Sequence, residues 1–226
     1  MLNYFDLIEN RPELFRNQDA MIKVITDRKV IKKWVIERKS KLKLQLMPEK
    51  WADIGIVYED PYILILRDLV EFPGGKLGSY FRLINVADLY GGKGSVILPI
   101  IKNKVVLLRQ YRHPTRNWHW EIPRGFGEPN LTSDENARKE INEEIGGEIS
   151  SLIDLGPFHN NTGVESTEAA LFLAFLENIG ESNQDEGIKY FQLFEIEKVY
   201  EMIGNSEITD GFTIAAFTRA RYRKLI

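Results

Sequence analysis

The period of the hydrophobic positions changes along the chain, and each change marks a predicted element. Residues 1 to about 50 read as helical, first through Tyr4, Phe5, Leu7 and Ile8, then through Val30, Ile31, Trp34 and Val35 at three-to-four spacing. The second run sits in a lysine-rich stretch, so it predicts an amphipathic helix with a solvated basic face. From Ile54 to Leu89 short strand-like runs take over: Ile54–Tyr58, Tyr62–Leu66 and Tyr80–Ile84, punctuated by Glu59-Asp60-Pro61 and Pro73-Gly74-Gly75 turns. Gly94 to Arg112 reads as two strands around a Lys102-Asn103-Lys104 turn, and Ala169 to Leu176 as one apolar strand. Phe194–Ile203 and Phe212–Arg221 return to helical spacing and are expected to cover sheet faces. Mixed strands with helices outside predict an α/β sandwich. The expected divisions are a helical extension (1–50), a small β-rich region (51–92) and a main domain (93–226).

One predicted helix carries more than a packing pattern. Thr132 followed by Glu135 is a capping-box start and Gly146-Gly147 an αL-tolerant stop, which predicts a helix over Ser133–Ile145. Ala137, Ile141 and Ile145 make its buried stripe; Glu140 and Glu144 lie along one edge with Glu143 beside both. Spacing pairs Asp134 with Arg138, Glu135 with Lys139 and Lys139 with Glu143, each worth ~0.2–0.5 kcal/mol. Glu140 and Glu144 have no such basic neighbour, repel each other, and sit where the helix macrodipole disfavours negative charge. For an arbitrary helix the plain reading is a solvated acidic face. The Gly125 loop immediately upstream turns the reading toward a hard, oxygen-seeking cation such as magnesium, because it can present backbone carbonyls beside paired carboxylates.

Composition removes several other chemistries. The 226 residues with 43% hydrophobic content suffice for one large core or a main domain plus a small one. Zero cysteines exclude disulfides, thiolate metal sites and cysteine nucleophiles. His113, His119 and His159 show no ligand spacing, which argues against zinc. No apolar run reaches the ~18 residues of a membrane span, and the Met-Leu-Asn-Tyr-Phe-Asp start lacks signal-peptide character, so a cytoplasmic protein is expected. A net charge of −3 gives no overall attraction to nucleic acid or membrane, and neither is an expected partner. Local cations are then needed for a polyanionic substrate. Arg109, Arg112, His113, Arg116 and Arg124 cluster just before the glycine loop.

Gly125, Glu140, Ile141, Glu143, Glu144 and Gly146 fall in the register of the Nudix box, which this segment resembles. Leu131, Lys139 and Gly147 depart from it, at positions where the family has Glu, Arg and an aliphatic residue. The missing Glu and Arg support the loop and helix in the family, so their loss bears on rigidity more than on catalysis. The flanks Arg109-Gln110-Tyr111-Arg112, Glu121-Ile122-Pro123-Arg124, Thr162-Gly163, Asp185-Glu186-Gly187 and Ile208-Thr209-Asp210 are similar to ADP-ribose pyrophosphatases, and the matches span about residues 53 to 222.

The resemblance implies a Nudix α/β/α sandwich with a mixed sheet, and a homodimer built through the small N-terminal sheet. It implies Mg²⁺, with Mn²⁺ as an alternative, on Glu140, Glu144, Glu143 and the Arg124 carbonyl. Glu186 is the preferred general base and Glu143 an additional catalytic carboxylate; Arg109, Arg112, Glu121, Arg124 and Phe126 are the substrate contacts. Gln184-Asp185-Glu186 reads alternatively as a polar turn, Glu121 equally as a loop cap, and Phe126 as a residue fixing the loop. Trp118 and Trp120 read as core aromatics or as a base-stacking face. The implied reaction is hydrolysis of ADP-ribose, or a related nucleoside diphosphate sugar, to AMP and ribose 5-phosphate. The alternatives are a Nudix hydrolase for a dinucleotide polyphosphate or flavin dinucleotide, and a silent domain that senses ADP-ribose.

Overall fold

A computed structural model describes residues 2–182 and 186–226. In chain order the elements are α1 (Tyr4–Asn10), β1 (Lys23–Val24), α2 (Arg28–Leu44), β2 (Gly55–Glu59), β3 (Ile63–Glu71), β4 (Leu77–Asn85), α3 (Val86–Leu89), β5 (Ser95–Ile101), β6 (Lys104–Arg112), β7 (Asn117–Glu121) and β8 (Arg124–Gly125). They continue with α4 (Ser133–Ile145), β9 (Glu148–Phe158), β10 (Ala169–Asn178), β11 (Ile188–Glu195), α5 (Ile196–Gly204) and α6 (Gly211–Tyr222). The chain forms two compact units, Met1–Val86 with Asn161–Thr167, and Ala87–Asn160 with Glu168–Ile226. Among the described residues no helix is long and apolar enough to cross a membrane.

In the first unit β3 is central, pairing antiparallel with β4 on one side and with β2 and β1 on the other. The Asn3 side chain accepts from the Phe5 and Asp6 N–H groups and starts α1. Tyr4 then donates its hydroxyl to buried Asp68 (2.7 Å), and Arg82 Nε donates to the same carboxylate (2.6 Å). Burial and the Asp68 charge push the Tyr4 phenol upward, so it stays a donor. The helical reading of residues 1–50 passes over β1. Two residues show no period, and their strand character comes from Lys23 and Val24 pairing with Glu71 and Val70 far along the chain.

The second unit holds a mixed sheet in the order β11-β6-β5-β10-β9, with β7 on β6 and β8 on β5. β5 and β10 are parallel, whereas the other pairs are antiparallel. Every residue of β5 is buried because helices cover both faces. Ala137, Ile141 and Ile145 of α4 pack with Ile97, Val106 and Leu108 on one face. Val199, Met202 and Phe217 of α5 and α6 pack with Leu98, Val105 and Leu107 on the other. This is the α/β/α sandwich expected from the sequence. The β5–β6 turn also forms as read, with Lys102 and Asn103 both left-handed (φ 49° and 60°).

Candidate active site

The helix bearing the carboxylates is set by its ends. Thr132 and Glu135 complete a reciprocal capping box, and Gly146 closes α4 in the αL conformation (φ 59°, ψ 27°). Ser95 Oγ donates to the Ser133 carbonyl (2.8 Å), tying the start of the helix to β5. β8 pairs with the same strand, Gly125 opposite Ser95 and Arg124 opposite Val96. Two separate ties to β5 therefore bring the glycine loop against α4. A Cβ placed on Gly125 would overlap the Glu140 carboxylate, and one on Gly127 would overlap the Gly92 and Lys93 backbone. Only glycine allows both approaches.

Glu140 and Glu144 are brought together and buried, with relative exposures of 8% and 1%. Burial, then the charges of Glu143 and Glu186, push Glu140 up to about 7. Burial, then the charges of Glu140 and Glu186, push Glu144 up to about 9. The Arg124 backbone hydrogen-bonds Glu144, yet Glu144 Oε2 is buried and has no hydrogen-bond partner among the described residues. An orphaned buried carboxylate oxygen is rare in folded proteins, and a cation is one remedy.

Among the described residues no three His, Cys, Asp or Glu side chains form a complete metal cage. Magnesium does not need one: it keeps several waters and binds through one or two carboxylates plus substrate phosphates. The residues present fit that pattern, Glu140 and Glu144 supplying anionic oxygens beside the Arg124–Gly125 backbone.

The raised pKa values set a pH dependence for the metal-free chain. Above the ordinary value of 4.5 an unfolded chain has released these protons, whereas the folded protein still holds them. Folding stability from this pair therefore falls as pH rises from about 4.5 through about 7 to about 9. Thermal unfolding in chelator across that range is expected to show a falling melting temperature, with a flatter profile in an E140Q/E144Q variant.

Surrounding residues divide into three groups. Glu121, 2% exposed, accepts from Arg112 Nε (2.8 Å), Arg112 Nη2 (2.6 Å) and Arg124 Nη2 (2.9 Å). Burial works to raise its pKa, but the Arg112 hydrogen bonds and the Arg124 and Arg112 charges hold it below the usual carboxylate range. Arg124 also reaches Asp210 (3.3 Å) and lies over the Phe212 ring (4.7 Å), so its side chain points to the start of α6. Asp210 caps α6 through Thr213, whose hydroxyl accepts from the Ile122 N–H (3.2 Å). The network fixes the backbone of Ile122–Arg124 from two sides. The sequence places Asp210 only within the Ile208-Thr209-Asp210 flank, and its position just before the helical run from Phe212 was the available signal for a cap.

Arg109 lies on the sheet face opposite α4. Alternation along β6 puts it with Val105 and Leu107 on the α5–α6 side, stacked over Trp120 (5.2 Å), while Leu108 packs with α4 on the other face. Trp120 and Trp118 share that side; Trp120 packs on Phe194 and Trp118 on Tyr111. Phe126 is 61% exposed, and Glu143 is half-exposed beside Lys139 (3.5 Å). Glu186 is exposed, and its charge reaches both buried glutamates. Gln184 and Asp185 lie outside the described residues.

The spacing-based Glu135–Lys139 pair does not form. The capping box takes Glu135, and Lys139 pairs with Glu128 as well as Glu143. Glu128, three residues before Leu131, thus supplies a carboxylate that pairs the loop with Lys139 of the helix.

Residues 93–212 match the NUDIX domain, more than half of the chain. The chain belongs to the Nudix family. This Nudix hydrolase is 25% identical over 185 residues to the ADP-ribose pyrophosphatase of Bacillus subtilis (strain 168), covering 80% of this chain and 91% of that protein. It is 26% identical over 176 residues to the methanol dehydrogenase activator of Bacillus methanolicus, covering 76% and 92%. Its fold matches a solved ADP compounds hydrolase with a TM-score of 0.64 at 17% identity, over 75% of this chain and 90% of that one.

Proposed function

We propose that this Nudix hydrolase cleaves the pyrophosphate bond of ADP-ribose or a closely related nucleoside diphosphate sugar, releasing AMP and ribose 5-phosphate. The observation that carries the reading is the buried Glu140–Glu144 pair with its orphaned oxygen beside the Arg124–Gly125 backbone. The named activities of the B. subtilis relative and of the solved structural neighbour supply the substrate class.

A pyrophosphate resists hydrolysis because its own charge repels a nucleophile, so the site must neutralise charge and deliver an oriented water. Bound Mg²⁺, or Mn²⁺ in its place, supplies the neutralisation and acidifies water. Glu140, Glu144 and the Arg124 carbonyl would hold that cation, with Glu143 as an additional carboxylate. Glu186 stands off the buried pair and accepts the proton of the attacking water. Glu121 stays ionised and orients the Arg112 and Arg124 guanidinium groups, and Phe126 offers its exposed ring to the substrate. Arg109, stacked over Trp120, is a further substrate contact in this proposal, and the homodimer expected from the resemblance is part of it.

A panel of ADP-ribose, other nucleoside diphosphate sugars, a dinucleotide polyphosphate and flavin dinucleotide tests it, with AMP release as readout. The highest kcat/KM is expected on a nucleoside diphosphate sugar and only with added divalent cation. A preference for either of the last two substrates, or ADP-ribose binding without turnover, contradicts it.

A further inference from the structure

Charge is segregated in this protein: α2 carries eight basic side chains and one acidic one in a chain whose net charge is −3. Its inner side is Ile31 and Leu42, both buried, with half-buried Val35. Steps of three and four residues place Lys29, Lys33, Ile36, Ser40, Lys43 and Leu44 on the opposite side. Among the described residues Lys29, Lys32, Lys33, Lys41 and Lys43 have no carboxylate at ion-pair distance, whereas Lys39 is paired with Asp53.

The helix face alone fits the solvated basic surface expected from the sequence. Its apolar residues do not. Ile36 is 58% exposed amid the lysines, and at the helix end Leu44, Leu46 and Met47 are 85%, 95% and 48% exposed. Leu46 also adopts a left-handed backbone (φ 57°), where glycine is the ordinary choice. Neither the exposure nor the backbone angle of Leu46 favours folding.

We propose that α2 and the Leu44–Met47 tip form a peripheral docking surface for an anionic lipid bilayer. Basic side chains complement the charged headgroups, and exposed Ile36, Leu44, Leu46 and Met47 enter the headgroup–acyl boundary. A nucleic-acid backbone would match the lysines and leave those apolar side chains in water. The absence of a membrane partner, expected from net charge, averaged this helix with an acidic remainder. The proposal is independent of the hydrolase site.

Co-sedimentation of the full chain with vesicles tests it, using phosphatidylcholine alone against phosphatidylcholine with phosphatidylglycerol, at low and physiological salt. Binding to the anionic vesicles only, weakened by salt, is expected. K33Q/K43Q should lower the partition coefficient about 25-fold, at roughly fivefold per lysine. L44S/L46G should lower it about tenfold or more. Leu46→Gly relieves the backbone, so its loss of binding is not a loss of folding, and unchanged hydrolase turnover in both variants confirms this. The proposal is overturned by equal binding to neutral vesicles, by wild-type binding in the variants, by association with single-stranded RNA in place of vesicles, or by failure to bind because a second copy of the chain covers the face.

Discussion

Glu144→Gln is expected to lower magnesium-dependent turnover on the order of 10³-fold while leaving the fold intact. With its pKa pushed up to about 9, Glu144 is protonated near neutral pH in the metal-free protein, and glutamine matches that neutral form in shape. The variant therefore keeps α4 packed but cannot become an anionic ligand. Losing one ligand to a cation that stabilises developing phosphate charge is worth several kcal/mol, about tenfold per 1.4 kcal/mol. Magnesium should raise the melting temperature of the wild type and leave that of the variant nearly unchanged. The wild-type shift should be larger at higher pH, because the ion displaces the protons these carboxylates hold. Steady-state kinetics and thermal unfolding read both effects; wild-type turnover in the variant would remove Glu144 from the mechanism.

Gly125→Ala is the second large effect, and it separates two uses of glycine in one loop. Gly125 does not have a left-handed backbone, so alanine is not strained there by its φ. Its Cβ would nevertheless occupy the place of the Glu140 carboxylate, which must swing away. Misplacing a reacting group by about 1 Å costs about 10²-fold in rate, and that loss is expected here with a small change in melting temperature. Gly127→Ala meets the Gly92 and Lys93 backbone instead, which cannot rotate away, so folding should suffer first. Activity in Gly125→Ala equal to wild type would show that Glu140 is dispensable where it stands.

What was legible in the sequence is what is local. Ser133–Ile145 formed with its capping box, its αL stop and its buried stripe as read, because caps and a helical period are written within a few residues. The paired strands around Lys102-Asn103 were equally local. β1 was not, since its strand character comes from Glu71 and Val70. The Nudix register located Glu140 and Glu144, but their burial depends on β5 drawing β8 and α4 together. Glu128 was missed because its pairing with Lys139 spans eleven residues across an irregular loop. Alternation along β6 sets Arg109 and Arg112 on opposite faces of the strand, which proximity in sequence does not convey. Exposure of Leu44 and Leu46 required the fold, because helical spacing does not tell which apolar residues find a neighbour.

Glu140 and Glu144 together are expected to hold a divalent cation. Titrating Mn²⁺ into the wild type and the E140Q/E144Q variant, with free ion followed by its electron paramagnetic resonance signal, reads that binding without relying on turnover. Saturable uptake by the wild type and its loss in the double variant is the predicted result; equal uptake by both would contradict it.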